Sequence, residues 1–231
     1  MKFAVLCSAG GSSFFAAYDI LQTARIFNHE NFILVTDRPC DAEEQAKERK
    51  IECKRIPFES KEQFSKDAAN YLIEHKITAL LMLYSRLVTS DLYFNFPTLN
   101  IHPALLPAFK GIGAVRQALD FGSKFIGATL HFTTERMDDG DIVCQVISPI
   151  SVGVDRLQLE RLSFLQKSYL ILVALDAFRL DIFNIHSNFQ GFVWGRDMEF
   201  TSSANPCIPS LVLRNSFDDF QLSLGMPGAI K

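Results

Sequence analysis

The first hundred residues alternate short apolar runs with longer segments of helical composition, and no other feature constrains the fold as strongly. A short apolar run bounded by turn residues is typical of a buried strand, whereas apolar residues three or four apart are typical of a helix. The strand-like runs are Phe3 to Cys7, Asn31 to Val35, Glu52 to Ile56 and residues 78–84. Repeated units of this kind predict an α/β fold with a mostly parallel, doubly wound, Rossmann-like sheet and helices on both faces.

The helices of this part are expected between the strands. Phe14 to Asn28 and Ala42 to Arg49 have helical length and composition. A third helix is expected after Ser60, because Gln63 follows at the spacing of a capping box. The apolar residues beyond it recur on one helical face, so this helix should pack against the sheet.

The pattern changes in the second half of the chain. Ile126 to Phe132 and Ile142 to Ile147 are β-rich, and the Asp-Gly step between them suits a reversal of the chain. A long helix is predicted from Asp155 to about Phe183. We therefore expect one domain over residues 1–183 and a β-rich C-terminal extension of unknown role over residues 184–231, with the strand-like runs GFVWG and SLVLR.

Composition excludes several classes of protein. With 48% hydrophobic and 21% charged residues the chain has the balance of a soluble globular protein. A net charge of -3 without a Lys/Arg block argues against nucleic-acid binding. No apolar stretch approaches the roughly 20 residues of a membrane span. The five cysteines are scattered and form no CxxC pair, so we expect no metal site and a reducing cytoplasmic location.

The stretch LNIHPALLP presents a polar pair at the end of an apolar run. Side chains alternate along a strand, so Asn100 and His102 point the same way, and Pro103 prevents the strand from continuing. A histidine alone is more often structural. Beside an amide, however, it can hold an oxygen that gains negative charge, and α/β proteins keep their chemistry at strand ends.

Other candidates each have a plainer explanation. The loop SAGGSS (8–13) is either an anion site at a helix N-terminus or an ordinary turn. Arg86 either orients a planar ligand together with Leu87 and Val88 or is an exposed charge. The carboxylates Asp138, Asp139 and Asp141 suit a solvated turn, unless one of them reaches back to His102. We interpret His131 as structural.

Five segments then occur in a fixed order: NIHPALLPAFKG, RQALDFG, IGATLHF, MDDGDIVCQ and ISPI. With them the chain resembles the folate-dependent formyltransferase family from Met1 to about Phe183, and within it the enzymes that act on glycinamide ribonucleotide. The resemblance implies transfer of a formyl group from 10-formyltetrahydrofolate to a primary amine, without a metal and between small-molecule substrates. It also implies a role in purine biosynthesis.

The resemblance also implies roles for individual residues. The catalytic group would be Asn100, His102 and Asp138. The pterin side of the folate site would be formed by Arg86, Leu87 and Val88, and the acceptor phosphate would meet Gly11, Ser12 and Ser13. A family Glu that contacts acceptor hydroxyls falls on Gln166, next to Lys167, so Gln166 is the remaining substrate-binding candidate.

Three departures from the family pattern bear on the acceptor. Ser13 stands where the family has Asn, the segment GIGAV replaces a His-Thr-His-like stretch, and Gln166 is neutral where the family has Glu. The alternatives are therefore a formyltransferase for another amine, such as an amino sugar, and a formyltetrahydrofolate deformylase in which water replaces the amine. A deformylase usually carries an extra N-terminal domain, whereas this chain begins at the first strand. A catalytically silent binding module is the third possibility.

Overall fold

The computed structural model describes residues 1–185 and 191–230 of the 231-residue chain. The strands are β1 (Phe3–Cys7), β2 (Phe32–Thr36), β3 (Glu52–Arg55), β4 (Ala79–Leu83), β5 (Thr98–His102), β6 (Phe125–Phe132), β7 (Ile142–Pro149), β8 (Phe183–Ile185), β9 (Phe192–Trp194) and β10 (Ala204–Asn205). The helices are α1 (Ser12–Thr23), α2 (Asp41–Glu48), α3 (Lys61–Glu74), α4 (Ser90–Tyr93), α5 (Ala114–Asp120), α6 (Arg156–Arg179) and α7 (Leu211–Ser223).

Eight strands form one mixed sheet in the order β10-β7-β6-β5-β4-β1-β2-β3. The strands β1 to β5 pair in parallel, whereas β6, β7 and β10 continue the sheet antiparallel. A small antiparallel hairpin of β8 and β9 lies apart from this sheet. The predicted α/β fold with a mostly parallel sheet is confirmed.

Both faces of the sheet are covered, as the apolar run of β1 predicts. Phe3, Val5 and Cys7 pack on the side of α1 and α6, while Ala4 and Leu6 pack on the side of α3 and α4. The chemistry-bearing loops are thereby left at the ends of the strands. In open sheets of this type ligands bind at the carboxyl ends of the strands.

Helix starts were predicted with mixed success. The Ser60 side chain accepts a hydrogen bond from the Gln63 N–H at 3.1 Å, but the Gln63 side chain donates to Asp67, so only half of the capping box forms. A complete capping box, of Asp155 and Gln158, begins α6. No helix in the described part of the chain is long and apolar enough to cross a membrane.

The C-terminal extension combines strands with a helix. The run GFVWG contains β9, as predicted, but SLVLR begins α7, so the prediction of a strand there is wrong. Leu213 and Phe217 lie four residues apart and are both buried, which is the period of a helix. The domain boundary at residue 183 stays a prediction. The strand β8 begins at this residue, and the later strand β10 joins the main sheet beside β7, so the extension contributes to the sheet of the first domain.

Candidate active site

A cavity of about 580 Å³ lies at the carboxyl ends of β1, β4 and β5. Its walls come from five stretches: the turn 8–13, residues 84–88 after β4, the end of β5, the loop 111–113 and the loop 133–138. The cavity is also lined by Lys167 from α6. All the predicted site residues except Gln166 lie on its walls.

The residues Asn100, His102 and Asp138 come together at one side of this cavity. The Nδ1 atom of His102 lies 3.3 Å from Oδ2 of Asp138, and the amide nitrogen of Asn100 donates to Asp138 Oδ1 at 3.5 Å. Both side chains of the His102–Asp138 pair are almost fully buried. The strand β5 and the loop before β7 thus bring together side chains 38 residues apart in sequence.

The hydrogen-bond partners of His102 fix the orientation of its ring. Its Nε2 atom lies 2.7 Å from the carbonyl oxygen of Phe109, while Nδ1 faces the Asp138 carboxylate. Both partners are hydrogen-bond acceptors, so each ring nitrogen lies against an acceptor group. The imidazole is thereby held at the cavity wall beside Asp138.

The loop that carries Asp138 is fixed by its backbone. Asp138 has a positive φ of 51°, and its Oδ2 atom accepts a hydrogen bond from the Gly111 N–H at 2.8 Å. At Gly140, two residues on, a Cβ atom would collide with the carbonyl oxygen of Phe132. Close packing therefore requires a glycine at position 140, and this tight turn fixes the position of the Asp138 carboxylate two residues before it.

His131 supports the same group from within the sheet. Its Nδ1 atom donates to the Phe132 carbonyl oxygen at 2.8 Å, and its Nε2 atom lies 3.3 Å from the amide nitrogen of Asn100. Burial lowers the pKa of His131, so the ring is neutral and Nε2 accepts from Asn100. His131 was interpreted as structural. Its contact with Asn100 shows that it also orients the predicted catalytic amide. His131 in β6 lies directly opposite Asn100 in β5, and this strand register could have indicated the contact.

Arg86, which lines the cavity, also contacts Asp37 and Phe58, which do not. Its Nε atom lies 3.2 Å from Oδ2 of the buried Asp37, and its guanidinium lies 4.1 Å from the centre of the Phe58 ring. Asp37 also accepts two hydrogen bonds from Arg38, at 2.8 and 2.9 Å. The guanidinium of Arg86 is thus bound within the protein, and Arg86, Leu87 and Val88 all line the cavity. Asp37 was not identified from the sequence.

The turn 8–13 leads from β1 into α1. Gly11 has a φ of 63°, and a Cβ atom there would lie 3.2 Å from the Phe15 ring and 3.3 Å from Cys7 Sγ. Helix α1 begins at Ser12, where the first N–H groups of a helix lack partners within it. Gly11, Ser12 and Ser13 line the cavity and present an electropositive helix start to it.

Gln166 does not reach the cavity. Its side chain is fully buried, and its amide nitrogen donates to the Ile126 carbonyl oxygen at 3.1 Å and to Ser148 Oγ at 3.2 Å. Successive residues of a helix point about 100° apart, so Lys167 faces the cavity instead. The substrate-binding role expected for Gln166 is therefore not supported by its position, and Lys167 is the cavity residue of α6 that the sequence analysis missed.

The described residues contain no cluster of three or more His, Cys, Asp or Glu side chains that could hold a metal ion. The cavity wall itself offers an amide, two imidazoles, a carboxylate and a helix N-terminus. Such a set stabilises a developing oxyanion next to a group that can take a proton.

This fold and this constellation define a class of enzyme. The Formyl transferase family matches residues 1–174, three quarters of the chain, so the protein belongs to the folate-dependent formyltransferase family, whose formyl donor is 10-formyltetrahydrofolate.

Individual proteins of this family are similar to the chain to different degrees. The chain is 35% identical over 156 residues to the phosphoribosylglycinamide formyltransferase of Bacillus subtilis, covering 62% of this chain and 77% of that protein. It is 42% identical over 91 residues to formyltetrahydrofolate deformylase 2, mitochondrial, of Arabidopsis thaliana, covering 38% of this chain and 26% of that protein. The crystal structure of glycinamide ribonucleotide transformylase 1 from Symbiobacterium toebii matches with a TM-score of 0.73 at 28% identity, over 81% of this chain and 92% of that chain.

Proposed function

We propose that the protein transfers the formyl group of 10-formyltetrahydrofolate to the primary amine of glycinamide ribonucleotide, a step of purine biosynthesis. The observation that carries this proposal is the buried group of Asn100, His102 and Asp138 on the wall of the 580 Å³ cavity. The similarity to phosphoribosylglycinamide formyltransferases, which extends over most of their length, supports the choice of acceptor.

In this mechanism the amine attacks the formyl carbon, and the carbonyl oxygen becomes an oxyanion. His102 would stabilise it as a hydrogen-bond donor, and the oxyanion would replace the Phe109 carbonyl as the acceptor from Nε2. Asn100 would donate its amide, since its bonds to His131 and Asp138 are at the long end of the hydrogen-bond range.

Collapse of the tetrahedral centre forms the new amide and breaks the bond between the formyl carbon and N10 of the folate. The proton lost by the attacking amine goes to N10, directly or through water. Asp138 would accept and pass on that proton, while its carboxylate also orients His102 through Nδ1. Arg86, Leu87 and Val88 would bind the pterin side, and the turn 8–13 the phosphate of the acceptor.

Hydrolysis of 10-formyltetrahydrofolate is the second candidate function. It is favoured by the 42% identity to a formyltetrahydrofolate deformylase, although the match spans only about a quarter of that protein. In this reaction water would take the place of the amine at the same oxyanion site.

One experiment separates the two. The release of tetrahydrofolate from 10-formyltetrahydrofolate is followed with and without glycinamide ribonucleotide, and formate is measured in parallel. We expect release that depends on the amine and no formate. Formate production at the same rate without the amine would establish the hydrolase instead.

A further inference from the structure

The loop 103–111, which follows β5, is bound by two polar side chains of the neighbouring strands. The Thr129 hydroxyl of β6 donates to the Ala104 carbonyl oxygen at 2.7 Å and accepts from the Leu106 N–H at 3.1 Å. The Gln145 amide nitrogen of β7 donates to the Leu106 carbonyl oxygen and to the Thr129 hydroxyl, each at 3.1 Å. Side chains thus bind both backbone polar groups of Leu106.

The register of the strands explains why these side chains meet the loop. Thr129 lies directly opposite His102 in β5 and directly opposite Gln145 in β7, so the three residues form a row across the sheet. Residues paired across neighbouring strands point to the same face of a sheet. The loop leaves this row at His102 and turns back over Thr129 and Gln145, where their hydrogen bonds hold it.

Close packing attaches the same loop to β6 a second time. At Gly127 a Cβ atom would lie 2.5 Å from the Leu105 side chain, so only a glycine admits the loop this close to the strand. The Leu105 carbonyl oxygen in turn accepts from the Ala108 N–H at 2.9 Å. This turn joins the attached part of the loop to Phe109.

The far part of the loop supplies two backbone groups to the predicted catalytic residues. The Phe109 carbonyl oxygen lies 2.7 Å from His102 Nε2, and the Gly111 N–H donates to Asp138 Oδ2 at 2.8 Å. Phe109 has a φ of 51°, in the left-handed region that a bulky residue keeps only when its surroundings hold it there. The orientation of His102 and Asp138 therefore depends on how firmly the loop is attached.

We propose that Gln145 is a positioning residue for the transfer reaction. Together with Thr129 it fixes the loop 103–111, whose backbone orients His102 and Asp138. Neither Gln145 nor Thr129 lines the cavity in the part of the chain that the structure describes, so both act without touching a substrate. The assignment rests on the proposed function, because it takes His102 and Asp138 as the reacting groups, and it extends that function to a residue of β7.

The first test compares two glutamines with the same bonding pattern. The Gln166 amide also donates to one backbone carbonyl and one hydroxyl, but these belong to Ile126 and Ser148, which are not part of the loop. Substitution by Met nearly keeps the size of Gln and removes the amide. We expect Gln145→Met to lower kcat about tenfold or more with nearly unchanged KM values, and Gln166→Met to keep the kcat of the parent. Both variants should melt below the parent, so a fall in kcat confined to Gln145→Met cannot come from lost stability.

The second test asks whether the effect passes through the loop. Thr129→Val keeps the shape of the side chain but removes the hydroxyl, so it should lower kcat at least as far as Gln145→Met. Thr129→Ser keeps the hydroxyl and should restore most of this loss. Thr98→Val is the matched control, because Thr98 is equally buried and its hydroxyl donates to the Phe96 carbonyl oxygen instead of to the loop.

A measurement on the free protein does not depend on turnover. Nitrogen NMR of the histidine rings reports the contact of His102 Nε2 with the Phe109 carbonyl, and the His102→Asn variant identifies the signal. We expect the Nε2 signal of His102 to move in Gln145→Met and to stay at its parent position in Gln166→Met.

The outcomes separate the two proposals. If tetrahydrofolate forms equally fast without the amine, the acceptor is wrong, and the two glutamine variants are compared by formate release. If the parent forms no tetrahydrofolate under either condition, the proposed function fails and the His102 signal alone decides. The Gln145 assignment is overturned if Gln145→Met has the kcat of Gln166→Met, if its loss lies in KM, or, without turnover, if both variants show the same His102 signal. If Gln145→Met does not fold, Gln145→Asn, whose amide is one methylene too short to reach the loop, takes its place.

Discussion

The two ends of the cavity differ in how their charges are compensated. At the end near β5, His102, His131, Asn100 and Asp138 are bonded to one another or to nearby carbonyl groups. At the end lined by Lys167, this lysine has no such partner within the described residues. The side chains of the first end are thus oriented by contacts within the protein, whereas the lysine of the second end is not.

The largest effect is expected from breaking the end near β5. Asp138→Asn keeps the size of the side chain but removes the carboxylate opposite His102 Nδ1, so His102 loses the acceptor that orients it and the amine its proposed proton acceptor. We expect kcat to fall by about 10² to 10³ with any acceptor. The measurement is formyl transfer at saturating folate.

Asp139→Asn is the control for this change. Asp139 pairs with Lys110 at the surface, where an ion pair contributes less than about 1 kcal/mol, so activity should stay close to that of the parent. An Asp138→Asn enzyme with full activity, or an Asp139→Asn enzyme that is the more impaired, would contradict the catalytic group of Asn100, His102 and Asp138.

A smaller effect is expected at Asp37, which does not line the cavity itself but contacts Arg86, a residue of the proposed folate site. Asp37→Asn weakens a charge-assisted contact of about 1.5 kcal/mol, so the KM for the folate should rise about tenfold with little change in kcat. The neighbouring pair of Glu43 and Arg55 offers a control, because Glu43→Gln has no contact with Arg86. Equal folate KM values for Asp37→Asn and Glu43→Gln would show that Asp37 does not position Arg86.

Gln166 is adjacent to Lys167 in sequence but, unlike Lys167, does not line the cavity. Gln166→Leu leaves the Ile126 carbonyl and Ser148 without their donor, so we expect about 1 to 2 kcal/mol less stability and an unchanged acceptor KM. Thermal unfolding and steady-state kinetics on one preparation test this. A raised acceptor KM with an unchanged melting curve would return Gln166 to the substrate site and weaken the contrast with Lys167.

The smallest effect is a pH dependence of stability from His131. Because burial lowers its pKa in the folded protein, the unfolded chain binds the proton more readily. Stability should therefore fall as the pH drops below about 6.5, by at most about 1.4 kcal/mol per pH unit. Denaturant unfolding at pH 7.5 and 5.5 should show a shallower dependence in His131→Gln. An identical pH dependence in the variant would mean that His131 is not the group that titrates.

The parallel half of the fold could be predicted from the sequence because apolar strand runs are local signals. Asn100 and His102 were singled out in the same way, from the LNIHPALLP segment, whereas Asp138, 38 residues away, was assigned only through the family resemblance. The orientation of Gln166 and Lys167 could not be found in this way, because α6 is buried on most sides and its apolar pattern does not show which side meets the cavity. The helix at 211–223 was missed since SLVLR alone is too short to distinguish a strand from a helix.

The pairing of β10 with β7 has a consequence for the behaviour of shortened chains. Without β10, the eight-residue strand β7 would be an edge strand of the sheet, with unpaired backbone N–H and C=O groups along its length. Edge strands of this kind recruit strands from other molecules and lead to aggregation. The two residues of β10 pair with Gln145 and Val146 in the middle of β7, so the segment after residue 183 shortens the stretch of this edge that another strand could join. A chain cut at residue 183 would keep every residue assigned to catalysis, and we expect it to associate with itself more readily than the full chain, because the whole edge of β7 is then unpaired.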